Sequence, residues 1–261
     1  MSIIQEGKSA EAMIFLLALV AALYYLRQAM KGKTLEMRDM QQYTALGEGI
    51  DRAVEEGKPV ICTIGGYAYL SGLYAPMAIA GLNVMRYVVT ETITRGAEVR
   101  LPVGRQPEQH ALIDGIYREA TVAAGRPDAY NREHVQFFGS NVQYEAGIAG
   151  WIQRDGCSMY VMVGACGGGI DTVPLHWAYD AGALKVGGTA RWPHQGTFTM
   201  LNDYPLHMDD IYGLGAICSG DPVVISVHGG ADTVKFALAI LVFVGALLQV
   251  AGVPILDWLT I

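Results

Sequence analysis

Residues 46–66 read LGEGIDRAVEEGKPVICTIGG, and this stretch sets a pattern that recurs along the middle of the chain. Leu46 to Glu56 has the apolar spacing of an amphipathic helix that stops at Gly57, and the β-rich run Val60 to Thr63 follows. The run ends at the glycine pair Gly65-Gly66. A helix followed by a short apolar strand and a glycine turn is typical of an α/β domain.

The same alternation of helix and strand continues to residue 227. Further strands are predicted at 98–103, 134–138, 157–163, 183–186, 197–200 and 223–227, and helices at 73–95, 107–124, 140–155, 171–180 and after Pro205. Because strands separated by helices pair in parallel, the pattern predicts a doubly wound α/β domain whose mostly parallel sheet is covered on both faces. About 200 residues are enough for one such core.

Two apolar segments flank this domain. Ala12 to Leu26 lies near the start, and Phe236 to Leu256 is interrupted only by Gln249. Since a bilayer core needs about 20 apolar residues, we expect transmembrane anchors in residues 1–33 and 233–261 around a domain at 34–232. A cleaved signal peptide is the alternative for the first segment, but the segment lacks a basic n-region and a small-x-small cleavage site.

The charges predict the orientation of the protein. Basic residues lie on the domain side of both apolar segments, at Arg27, Lys31, Lys33, Arg38 and Lys235. The positive-inside rule therefore predicts a multi-pass protein of the cell (inner) membrane, with a cytoplasmic domain and both termini on the outer side. The lipid bilayer is the first expected partner. The net charge of -7 argues against nucleic acid as a partner.

Cysteine usage agrees with a cytoplasmic domain. The four cysteines, Cys62, Cys157, Cys166 and Cys218, have no CxxC spacing, and three lie in or beside apolar, strand-like runs. Buried reduced thiols are the expected state.

Glycines that follow predicted strands are the candidates for ligand binding. They are Gly65, Gly66, Gly167, Gly168, Gly187 and Gly188. Ligands of open α/β sheets bind beyond the carboxyl ends of the strands, where backbone N–H groups hold anions, so a nucleotide or phosphate pocket is one hypothesis. Neither GxGxxG nor GxxxxGK[ST] occurs, no motif requires a cofactor, and glycine also serves simply to turn the chain.

Acidic and histidine side chains cluster late in the domain. The candidate catalytic residues are Asp203, His207, Asp209 and Asp210. Carboxylates beside histidine can bind a metal or transfer protons. No HExxH, DxDxDG or GxSxG pattern occurs, so no metal site is predicted. Asp209 and Asp210 also suit a helix start through the helix dipole, and structural roles are the favoured reading.

Four stretches of the chain resemble an uncharacterised, domain-of-unknown-function family of prokaryotic membrane-anchored proteins. They are LGEGIDRAVEEGKPV at 46–60, GALKVGGT at 182–189, DYPLHMDDIY at 203–212 and DTVK at 232–235. The resemblance covers most of the chain and implies one cytoplasmic domain between two spans. It departs where family glutamates are expected: aspartates stand at 209 and 210, and Asp171 and Asp180 are two further candidates for the same exchange. The family offers no activity to transfer.

Three classes of function follow from these patterns. We expect a membrane-anchored structural or accessory protein whose domain forms a homo-oligomer or joins a larger membrane complex, because no catalytic motif is present and tethering raises the effective concentration. The alternatives are a nucleotide- or anion-binding module at the glycine-rich strand ends and a metal-assisted enzyme that uses the late Asp and His residues. Transport is the least expected, because the apolar segments contain no interior charge.

Overall fold

The computed structural model describes residues 9–33, 37–140 and 142–251. These residues belong to two compact units: Arg38–Ser219 forms one, and the two terminal segments form the other. The C-terminal segment of the second unit starts at Gly220. The domain boundary predicted at residue 232 therefore falls inside that segment.

The unit Arg38–Ser219 is built on a six-stranded sheet in which every strand pair is parallel. Its strands are β1 (Val60–Thr63), β2 (Val99–Gly104), β3 (Val135–Gly139), β4 (Met159–Gly164), β5 (Leu184–Thr189) and β6 (Tyr204–His207). They lie in the order β3-β2-β1-β4-β5-β6. The chain therefore starts in the middle of the sheet, builds one side, and returns to β4 beside β1 to build the other side. The predicted α/β class with a parallel sheet is confirmed.

Helices cover both faces of this sheet. They are α2 (Gln41–Glu56), α3 (Ala75–Arg95), α4 (Glu108–Ala123), α5 (Val142–Asp155), α6 (Gly169–Asp180), α7 (Gln195–Leu201) and α8 (Asp210–Ser219). Val60 and Cys62 pack into the core under α2, α3, α4 and α8, whereas Ile61 packs into the core under α5, α6 and α7. Because both faces are buried, the strands read as continuous apolar runs rather than as alternating ones.

Local sequence explains why α2 forms and where it ends. Leu46, Ile50 and Ala53 recur at helical spacing and are all buried against the sheet. Burial of each large side chain of this kind stabilises the fold by roughly 1.5–3 kcal/mol. The helix ends at Gly57, whose φ of 65° lies in the left-handed region and whose N–H donates to the carbonyl oxygen of Ala53.

Two predicted strands are wrong. Residues 197–200 belong to α7, and residues 223–227 belong to the helix α9 (Pro222–Val250). Both stretches are rich in β-branched or aromatic residues, but strand propensity depends on context. At α9 the Asp221 carboxylate accepts a hydrogen bond from the N–H of Val223 at 2.8 Å, and Pro222 takes the first helical position. This cap and proline start a helix.

The second unit pairs α1 (Ser9–Met30) with α9. The hydroxyl oxygens of Tyr25 and Thr233 lie 2.7 Å apart, and Gly230 packs beside Ala22. Among the described residues, only α9 is long and apolar enough to cross a membrane, by length and composition. The apolar stretch of α1, Ile14–Met30, is shorter, so the predicted pair of transmembrane helices is not confirmed.

Candidate ligand-binding site at the carboxyl edge of the sheet

The strand order reverses between β1 and β4, and the loops that follow these two strands lie against each other. The N–H of Tyr67, after β1, donates to the carbonyl oxygen of Ala165, after β4, at 3.0 Å. A Cβ on Gly65 would approach the same oxygen to 2.8 Å, and Gly65 has a φ of 93°. Only glycine allows this contact without strain. In open α/β sheets, such a reversal is where ligands bind, outside the carboxyl ends of the strands.

One buried carboxylate joins the two loops. Asp171, in the first turn of α6, is 0% exposed. Its Oδ1 accepts from the N–H of Gly66 at 2.8 Å, and its Oδ2 accepts from the N–H of Gly167 at 2.7 Å. Burial raises the pKa of Asp171 to about 6, although the two amides and the nearby Arg191 favour the charged form. Asp171 therefore takes the place that an external anion would take on these amides.

The remaining loop glycines also have partners within the chain. The N–H of Gly65 donates to the hydroxyl of Thr63 at 3.1 Å, and the N–H of Gly168 donates to Nδ1 of His194 at 3.4 Å. The backbone phosphate cradle expected at these glycines is therefore already occupied by internal acceptors.

Gly187 and Gly188 lie within β5 and not beyond its end. A Cβ on Gly187 would approach the carbonyl oxygen of Met162 to 2.5 Å, and one on Gly188 would approach that of Leu206 to 2.0 Å. The absence of a side chain at these two positions allows the neighbouring strands to approach closely.

Two arginines, which the sequence patterns did not single out, contact the ring of Tyr67 in the loop after β1. Arg105 follows β2 and Arg191 follows β5, and the guanidinium carbon of each lies 4.7 Å from the centre of the Tyr67 ring. Arg191 also lies 5.2 Å from the ring centre of Tyr74, and Nη1 of Arg105 donates to the hydroxyl of Tyr69 at 2.9 Å. Such cation–π contacts hold both side chains in place. The sequence signal that could have identified them is a basic residue one or two positions after the end of a strand.

Arg191 has an unsatisfied donor in this site. Its Nη1 is buried and has no hydrogen-bond partner within residues 9–33, 37–140 and 142–251. The absence of a side chain at Gly167 makes room for it, since a Cβ there would lie 2.0 Å from Nη1. An unmet buried donor costs about 1–3 kcal/mol and calls for a partner such as an ion or water.

The late Asp and His residues lie at opposite ends of strand β6 and do not form one cluster. Asp203 precedes β6 and accepts from the backbone N–H and the Nζ of Lys185, at 2.8 and 2.9 Å. His207 ends the same strand. Four residues of strand span about 13 Å, so these two side chains do not form one site. Asp203 instead neutralises a buried lysine.

The other members of the cluster shape the turn between β6 and α8. The Asp210 carboxylate pairs with Arg38 and accepts from the N–H of His207 at 3.3 Å. The carbonyl oxygen of Asp209 accepts from the N–H groups of Tyr212 and Gly213 in the first turn of α8. Across the described residues, no group of three or more His, Cys, Asp or Glu side chains is placed to hold a metal.

The fold and the site define a parallel, doubly wound α/β domain with two arginines at its switch point. Residues 1–259 match the family described as Domain of unknown function (DUF6754), and the chain belongs to this family. Comparisons with curated proteins and with solved structures find no match. The expected domain-of-unknown-function family is confirmed, and it carries no assigned activity.

Proposed function

We propose that the protein is a membrane-tethered domain that binds a small anionic ligand at the carboxyl edge of its sheet. The unmet, buried Nη1 of Arg191 at the switch point carries this proposal. A phosphate or carboxylate oxygen would supply both the missing acceptor and the opposite charge. The loop amides contribute little directly, because Asp171 already accepts from them.

The charge around Arg191 supports an external anion. Asp171 is the acidic group beside it, but each of its oxygens accepts from a loop amide. None of the ion pairs among the described residues uses Arg191. Arg105 adds a second positive charge over the same Tyr67 ring. In a chain of net charge -7, two guanidinium groups that contact the same ring favour negative charge in their neighbourhood.

Thermal unfolding of the detergent-solubilised full-length protein with inorganic tripolyphosphate tests the proposal. Ligand at 100 times its dissociation constant should stabilise the fold by roughly 2.7 kcal/mol. Arg191→Gln, which removes the charge, should abolish the stabilisation. Arg86→Gln is the matched control, because Arg86 lies on α3 and pairs with Glu119 at the surface. No stabilisation of the wild type, or equal stabilisation of the Arg191→Gln protein, would overturn the proposal.

The tether is proposed from the apolar surface of the terminal helices. Phe15 on α1 and Phe236 and Phe243 on α9 are 66–72% exposed, as are many aliphatic side chains around them. Contiguous apolar surface on this scale marks an interaction with lipid or protein. We propose that both helices lie in the bilayer of a prokaryotic inner membrane, with the domain on the cytoplasmic side. Resistance to alkaline extraction, together with protection of the domain from protease in intact cells, is the expected result; digestion from outside contradicts it.

Self-association in the membrane stays a prediction from the sequence. A mass above that of one chain in light scattering of the solubilised protein is the expected result. A monomer at all concentrations would contradict it.

A further inference from the structure

We infer that the anionic ligand is a nucleotide whose base stacks on Trp192 while its phosphates bind Arg191. This inference rests on the anion site proposed above and names the chemical class of its ligand. The observation behind it is the juxtaposition of a large exposed aromatic side chain with the unmet guanidinium donor, on one short turn at the carboxyl end of β5.

The turn that carries both side chains is held firmly by its own hydrogen bonds. The N–H of His194 and the side-chain amide of Gln195 both donate to the carbonyl oxygen of Arg191, at 3.1 and 3.2 Å. The N–H of Arg191 donates to the hydroxyl of Thr189 at 3.3 Å. Trp192 is nevertheless 76% exposed. The backbone that carries Trp192 is therefore already ordered before a ligand binds, which lowers the entropic cost of binding.

The loop that brings Tyr74 to Arg191 also exposes apolar side chains. Tyr74, whose ring contacts Arg191, directly follows Leu73, which is 89% exposed, and Leu70 in the same loop is 39% exposed. Apolar side chains thus come from both loops that meet at Arg191. A simple inorganic anion would use the guanidinium and leave this surface in water, whereas a nucleotide would use both.

Trp192 gives the inference a quantitative consequence. Stacking of a base on an aromatic side chain raises affinity by about 5- to 150-fold and tolerates any base, because every base has a π-face. ATP, GTP and UTP should therefore all bind more tightly than tripolyphosphate, which carries the same phosphate chain without a base.

Titration calorimetry on the full-length protein in detergent tests this with ATP, GTP, UTP and tripolyphosphate. Trp192→Ala should weaken the three nucleotides at least about 5-fold and leave tripolyphosphate unchanged, and Trp192→Phe should restore most of the loss. Trp177→Ala is the matched control, because Trp177 is a second partly exposed tryptophan on α6. It should leave all four affinities unchanged.

The outcomes separate this inference from the proposed function. If tripolyphosphate and the nucleotides bind equally and Trp192→Ala changes neither, the nucleotide inference is overturned while the anion site stands. If no probe binds, both are overturned. If Trp192→Ala reduces only the binding of anionic lipid vesicles, Trp192 contacts lipid and the nucleotide inference is again overturned.

Discussion

Substitution of Asp171 by Asn should change how the stability of the domain depends on pH. In the folded domain the pKa of Asp171 is raised to about 6, chiefly by burial, from 3.8 in an exposed chain. Between these two values the folded state holds a proton that the unfolded state has released. The free energy of unfolding therefore decreases as pH rises through this window. Asn carries no ionisable group, so the variant lacks this contribution.

The size of the effect follows from the two pKa values. The difference between 3.8 and about 6 corresponds, at about 1.36 kcal/mol per pKa unit, to about 3 kcal/mol. Charged groups around Asp171 are included in the raised pKa: Arg191 lowers it and Glu145 on α5 raises it. His134 and His194, whose pKa values are lowered chiefly by burial, contribute the opposite slope. Both histidines are present in wild type and variant, so their contribution cancels in the difference.

Urea unfolding of the solubilised full-length protein from pH 4 to 7 measures this difference. The buried Trp151 serves as the reporter in a background in which the other three tryptophans are replaced by Phe. The stability of wild type minus that of Asp171→Asn should fall by roughly 2–2.5 kcal/mol across the range, because at pH 4 the unfolded carboxyl is already partly ionised. Asp180→Asn, at the exposed end of the same helix, should follow the wild-type profile. Parallel curves for wild type and Asp171→Asn would refute the reasoning.

Three further changes test the sheet, the late carboxylate and the tether. Gly188→Ala should destabilise the domain by about 1–3 kcal/mol, because the new Cβ would lie 2.0 Å from a carbonyl oxygen of β6; Gly196→Ala, which meets open space, is the control in thermal unfolding. Asp203→Ala should cost about 1–3 kcal/mol by leaving the buried Lys185 without its carboxylate, and retained urea stability would contradict this. Val244→Lys should move protein out of the alkali-resistant membrane fraction, because a central lysine disfavours insertion by about 2.5–3.5 kcal/mol, whereas Val244→Leu should not.

Local patterns in the sequence predicted much of the fold. The strand at 60–63 and the helix end at Gly57 have the predicted bounds, because a glycine stop and a β-branched run depend on neighbouring residues. The predicted strand at 223–227 failed even though a local signal, Asp221 followed by Pro222, was available. In that stretch the helix cap and the proline outweigh the β-branched composition.

The candidate site was less accessible from the sequence, because it depends on strand order. Arg105 and Arg191 are distant in the chain and meet over Tyr67 only because β2, β1, β4 and β5 are neighbours in the sheet. The sequence did identify glycines at the carboxyl edge of the sheet. However, the amides of Gly66 and Gly167 donate to Asp171 within the chain. Which backbone donors are free is a tertiary property, and glycine spacing does not reveal it.

Asp171 and Arg191 are close in the site, but their hydrogen bonding differs. Oδ1 of Asp171 accepts from the N–H of Gly66, and Oδ2 accepts from the N–H of Gly167. Asp171 thereby fastens the two loops together, whereas Nη1 of Arg191 has no hydrogen-bond partner among the described residues. A buried donor without a partner is uncommon in a folded protein, and this favours the proposed ligand as the partner of Arg191.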